Sequence, residues 1–212
     1  MGGRGELTVK RSWMFLIMVI LFCVGCSDMS ETGQPTISMK TDSEYEDTFK
    51  DLNLGVVFDF DFYLPHADKR WVNLWVERYS DGKKDSQPLT ELSYGNNPEE
   101  VEKGQMGFGI IKPRSEDTLV FLYGPGVSVH PSRIEQDFST DVMSSWDYAI
   151  GKEKVELKLG ETKILAAYKE TGSNSMRSFD LQDEESVKNM IKENDTVLLL
   201  KIKVEEGMVD SY

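Results

Sequence analysis

Two aspartates, Asp59 and Asp61, project from one side of the run Val56-Val57-Phe58-Asp59-Phe60-Asp61-Phe62-Tyr63. Paired carboxylates on one strand face are tools of glycoside hydrolysis, or two oxygen ligands of a calcium site. No D-x-D-x-D-G loop surrounds them, and any strand with one wet face shows alternate polar residues. The solvated-face reading therefore stands first, with a hydrolase using Asp59 and Asp61 as the alternative. His66 and His130 are the only histidines, and a zinc site needs several convergent ligands. His66 with Asp68 supplies two, and neither H-x-x-x-H nor H-E-x-x-H occurs. Ser128 precedes His130 by two residues, but there is no G-x-S-x-G elbow and nothing local to orient the imidazole. The run Gly104-Gln105-Met106-Gly107-Phe108-Gly109 lacks the lysine of a phosphate loop. No catalytic residue, metal ligand or cofactor is assigned.

A different chemistry is carried by Trp71, Trp75 and Tyr79. They alternate with Val72, Leu74 and Val76 along Trp71–Tyr79, so the three aromatics share one strand face. Such stripes stack on sugars and anchor protein interfaces, which makes these residues the candidate binding face. In a sandwich the same stripe serves as core, with the valines and leucine turned outward, and the pattern is read that way first.

The elements that must carry these residues are mostly strands. Period-two runs appear at 56–63, 71–79, 106–112, 118–123, 127–130 and 146–150. The segment 80–104 is polar and turn-rich and reads as a long surface excursion. Residues 155–159 and 162–169, joined at Gly160-Glu161, read as a hairpin. One helix is expected near Asp183–Glu193, capped by Asp183, with Glu184 and Glu185 in its first turn and Val187, Met190 and Ile191 as its apolar stripe. A buried strand follows at 196–204. About eight short strands and one late helix indicate a mainly β chain, an antiparallel β-sandwich with a helix near the C-terminus.

The N-terminal region is built differently. Arg4, Lys10 and Arg11 precede 12 consecutive apolar residues, Trp13 to Val24. That is the layout of a secretory leader, and it is shorter than the roughly 20 residues that span a bilayer. Phe22-Cys23-Val24-Gly25-Cys26-Ser27 resembles a lipobox, the processing site of bacterial lipoproteins. Gly25 and Cys26 match the pattern, while Cys23 stands where that family usually carries Leu. The resemblance implies cleavage after Gly25 and a diacylglyceryl group on Cys26. Two acyl chains hold a protein stably at a membrane, where one holds only marginally.

The resemblance implies a leader at 1–25, and composition and periodicity divide the rest into a tether at 26–53, a sandwich-like domain at 54–206 and a tail at 207–212. Ser, Thr, Asp and Glu dominate the tether, whose few large apolar residues do not offset the entropy of ordering. A short strand or helix around Tyr45–Leu52 is the alternative there. Cys23 and Cys26 are the only cysteines, so the domain is expected to fold without disulfides. The net charge of −13 opposes nucleic acid, whose binders need basic patches, and opposes adhesion to anionic lipid without an anchor. The expectation is a lipid-anchored, extracytoplasmic protein of the cell membrane. It is expected to be a non-catalytic module that binds an envelope protein, peptide or glycan, with an envelope hydrolase as the alternative.

Overall fold

The computed structural model of the protein describes residues 33–112, 118–134 and 142–207. Cys26 and residues 208–212 lie outside them. Among the described residues no helix is long and apolar enough to cross a membrane.

Alternation between apolar and polar side chains sets the architecture, because each strand must bury one face. The strands are β1 (Thr36–Met39), β2 (Gly55–Pro65), β3 (Arg70–Ser80), β4 (Lys83–Lys84), β5 (Thr90–Gly95), β6 (Val101–Ile111) and β7 (Leu119–Gly124). They continue with β8 (Val127–Ser128), β9 (Ser132–Arg133), β10 (Met143–Tyr148), β11 (Val155–Glu156), β12 (Thr162–Thr171) and β13 (Thr196–Glu206). Two helices accompany them, α1 (Glu44–Asp51) and α2 (Glu184–Glu193).

The strands form two antiparallel sheets. The first runs β11-β1-β2-β6-β7-β8, with β9 also on β7, and the second runs β10-β12-β13-β3-β4, with β5 also on β3. Long registers such as Gly55↔Ile111 through Pro65↔Val101 hold β2 to β6. Between the sheets lie Phe58, Phe60 and Phe62 of β2, facing Val72, Leu74 and Val76 of β3 and Leu198, Leu200 and Ile202 of β13. Phe58 stacks on Phe108 with ring centroids 6.1 Å apart and planes 3° from parallel. Each such side chain stabilises the fold by about 1.5–3 kcal/mol on burial, so this layer is where the sandwich is held. The mainly β, antiparallel architecture with a helix near the C-terminus is as expected.

Four expectations need correction. The tether does not extend to residue 53, because β1 pairs with β2 and α1 packs over that strand, which is the alternative of a short helix around Tyr45–Leu52. The aromatic stripe does not lie in the core between the sheets: Val72, Leu74 and Val76 have no exposed surface, while on the opposite face Trp71 is 37% exposed and Tyr79 packs against a second apolar cluster. The region 80–104 is not one excursion, since β5 pairs with β3 from Trp71↔Gly95 to Val76↔Thr90. Its Thr90 and Leu92 are buried between polar neighbours, and that short alternation is masked by the charged residues around it. Finally, 155–159 and 162–169 do not form a hairpin. β11 pairs with β1 in one sheet and β12 with β10 and β13 in the other. Gly160, at φ +78°, turns the chain between the layers, and its amide donates to the Val204 carbonyl at 2.8 Å.

Candidate functional site

The outer face of the first sheet is organised around Asp59. Its side chain points away from the phenylalanine layer, yet it has no exposed surface, because α1 lies across it. The Ser43 hydroxyl donates to Oδ2 at 2.5 Å, Gln105 Nε2 donates to the same oxygen at 3.2 Å, and the Tyr123 hydroxyl donates to Oδ1 at 2.9 Å. Burial pushes the Asp59 carboxyl above the usual carboxylate range, and the Ser43 and Tyr123 hydroxyls pull it part of the way back. Neither oxygen is left for a substrate. Asp61 is separate: it is exposed and pairs with Lys40 at 3.0 Å. The two aspartates share a strand face without forming one site.

Ser43 couples this carboxylate to the helix. Its side chain also accepts from the Glu46 amide at 3.2 Å, capping α1. Glu44, Glu46 and Asp47 load the first turn, where negative charge is favoured. An eight-residue helix is marginal by itself, so packing must hold it. Tyr45 meets Tyr123 edge-on at 5.6 Å, and one turn later Phe49 meets Phe121 at 6.1 Å. Glu46 accepts from the Tyr148 hydroxyl, tying the helix to β10 of the other sheet.

Between α1 and the β7–β8 turn runs a groove of about 510 Å³. Tyr45, Phe49, Phe121 and Tyr123 make its aromatic wall, and Lys103 and Gln105 contribute polar groups. The glycines of β6 explain how the rings lie so close to the sheet. A Cβ on Gly109 would sit 2.1 Å from the Phe121 ring, and one on Gly107 would sit 1.9 Å from the Phe58 carbonyl and 2.5 Å from the Tyr123 hydroxyl. The glycine-rich run 104–109 is thus a bed for aromatic side chains of the neighbouring strand. The groove has the size and mixed lining of ligand sites, and Tyr45, 47% exposed, is its most accessible ring.

The outer face of the second sheet carries the sequence candidates Trp71, Trp75 and Tyr79. They spread over nine residues of β3, eight steps or roughly 26 Å at 3.3 Å per residue, and do not converge. Tyr79 packs in a second apolar cluster with Val187 and Met190 of α2 and Val197 and Leu199 of β13. Asp183 caps α2 as expected, accepting from the Ser186 amide at 2.9 Å. Between the aromatics sits Glu77, which accepts from Trp75 Nε1 at 3.3 Å and from the Tyr79 hydroxyl at 2.7 Å. It also pairs with Lys84 at 2.6 Å and Lys201 at 2.8 Å. Burial alone would push its carboxyl up, but the bonds from Lys201, Lys84 and Tyr79 outweigh that and hold it at about 2.

The remaining candidates stay apart. His66 is exposed at a left-handed turn, φ 53°, and Ser128 and His130 are both exposed. No group of three or more His, Cys, Asp or Glu residues among the described residues is placed to hold a metal. Sequence reasoning missed the groove because α1 falls in the stretch read as tether. The signals were present: Ser43-x-x-Glu46 is a capping-box spacing, and Tyr45 and Phe49 stand four apart.

No family model matches the chain, and no solved structure matches it. A stretch of 63 residues is 35% identical to the protein nucleotidyltransferase YdiU of Clostridium botulinum (strain Eklund 17B / Type B). It spans 30% of this chain and 13% of that enzyme, so the likeness is confined to a small part of the relative's length.

Proposed function

We propose that the protein is a lipid-anchored, extracytoplasmic binding module of the bacterial cell envelope. In this reading Cys26 carries a diacylglyceryl group, and the aromatic groove beside α1 receives an envelope peptide, protein or glycan. The observation that carries it is the groove itself. Accessible rings stand over a glycine-flattened strand, at a size suited to a ligand, while the buried carboxylate beneath them has both oxygens engaged. The occupied Asp59 and the ion-paired Asp61 favour binding over hydrolysis. The leader-like N-terminus and Cys26 supply the compartment.

Two measurements test the reading. Cys26→Ala should move the protein from the membrane fraction to the soluble one, and mass spectrometry should find the acyl thioether only in the parent chain. A variant that still sediments with membranes, its leader uncut, would refute lipidation. For the groove, envelope extract should yield a ligand that binds the parent chain and is lost with Tyr45→Ala. Tyr45 is half-exposed, so the fold should survive. Equal retention by the variant would remove the groove as the binding surface.

A further inference from the structure

The two long seams of the sandwich differ. At one, β5 of the second sheet packs against β7 of the first, and Tyr94 lies over Gly124 close enough that a Cβ there would be 3.0 Å from its hydroxyl. At the other, β10 faces the first half of β2 across a cleft of about 430 Å³, lined by Phe49, Lys50, Gly55, Val56, Trp146 and Tyr148. Trp146 belongs to the same strand face as Tyr148, which packs on Phe58 and Phe60. It points toward the interior, yet remains 49% exposed. A tryptophan turned inward and still half in water marks a layer that lacks a neighbour among the described residues.

The backbone shows what kind of neighbour fits. The Ala149 amide donates to the Leu165 carbonyl at 2.8 Å. By the alternation of an antiparallel ladder, residues 143, 145 and 147 then bond to β12, and the amides and carbonyls of Ser144, Trp146 and Tyr148 point away from it. Across the cleft the Lys112 amide donates to the Leu54 carbonyl at 2.9 Å, so Gly55 and Val57 likewise turn their polar groups from β6 toward the seam. β1 does not cover them, since its register on β2 starts at Phe60. Among the described edges, β5 is also six residues long without lysine or proline but packs against β7, and the others are blunted in the usual ways. β4 is Lys83-Lys84, β9 follows Pro131 and ends in Arg133, and β11 has two residues after Lys154. β10 is six residues long and contains neither lysine nor proline.

We propose that the β10 edge receives an extended basic peptide from another protein by strand addition, with an apolar side chain of that peptide set against Trp146 and Val56. Main-chain bonds to Ser144 and Trp146 supply the affinity, and the cleft supplies the choice of side chain. Charge selects the sign of the partner. The wall of the cleft is α1, which sets Glu46 and Asp47 beside Lys50 in the lining, on a chain of net charge −13. The same charge opposes pairing of two copies edge to edge. This site lies on the other side of α1 from the aromatic groove, and Phe49 and Val57 line both.

The test is a titration of the full chain in mild detergent with a labelled peptide of about eight residues that alternates lysine and valine. Binding is expected, with slowed amide hydrogen exchange at Ser144, Trp146 and Tyr148. Methylating alternate backbone nitrogens of the peptide, or replacing its lysines by glutamates, should weaken binding about tenfold or more, as should Trp146→Ala, a loss typical of a central aromatic anchor. Equal binding by the methylated peptide, or unaltered exchange on β10, would overturn strand addition in favour of surface adsorption. Self-association through β10 in sedimentation, abolished by Trp146→Ala, would replace the peptide with a second copy.

Discussion

Each sheet buries a carboxylate on its outer face, and the two are satisfied in opposite ways. Asp59 is surrounded by hydroxyl and amide donors from Ser43, Tyr123 and Gln105, with no ammonium bonded to it. Glu77 is met by two ammonium groups, Lys84 and Lys201. Neutral donors only partly replace the water a carboxylate gives up on burial, so the Asp59 carboxyl is pushed up. Cations replace that water and add attraction, so the Glu77 carboxyl is pushed down. Asp59 organises a helix and the wall of a groove. Glu77 knits together β3, β4 and β13, and its lysines leave it no free oxygen to offer.

Asp59→Ala is the substitution expected to separate the two faces most. It leaves the Ser43 and Tyr123 hydroxyls without their acceptor and removes the tie between sheet and α1. The expected loss is about 3 kcal/mol of unfolding free energy by denaturant titration, and the Tyr45 ring should part from Tyr123 as the helix loosens. A change below about 1 kcal/mol would mean that α1 is held by its aromatic residues alone.

Glu77→Gln should cost less, about 1.5 kcal/mol near neutral pH, because Lys84 is exposed and regains water while Lys201 stays part-buried. The sharper test is the pH dependence. Glu77 sits at about 2 when folded against an ordinary 4.5, so its contribution is complete above pH 4.5 and fades as pH falls toward 2. Asp59 has the reverse sign: its raised carboxyl favours the folded state below its ordinary 3.8, and that advantage fades as pH rises. Glu77→Gln should therefore flatten the acid limb of stability against pH, and Asp59→Asn should steepen it. Identical profiles for the two variants would break the comparison.

The smallest effect is expected at Trp71. It lies at the exposed end of β3, and Trp71→Ala should change stability by less than about 0.5 kcal/mol. A larger loss would show that the outer aromatics of the second sheet act together.

Much of the fold was legible in the residues. Phe58, Phe60 and Phe62 alternate with aspartates and lie on the buried face of β2, and Asp183 with Val187 and Met190 marks α2 at its proper place. What was illegible depended on neighbours distant in sequence. The faces of β3 could not be ranked, since valines and tryptophans are both apolar and only the packing of β2 and β13 against one side made Val72, Leu74 and Val76 the interior. Asp59 read as a solvated residue because alternation describes a strand and takes no account of a helix laid over it.

By itself the sequence determined the local rules: the two-residue period that commits most of the chain to strands, the cap of α2, and a strongly negative net charge. Tertiary structure decided which polar residues lost their water. Burial of Asp59 under α1, seating of Phe121 and Tyr123 on the β6 glycines, and the place of β10 at the end of its sheet among the described residues all follow from the meeting of segments far apart in the chain. A carboxylate's hydration, like a strand's unpaired backbone, depends on what lies beside it in space.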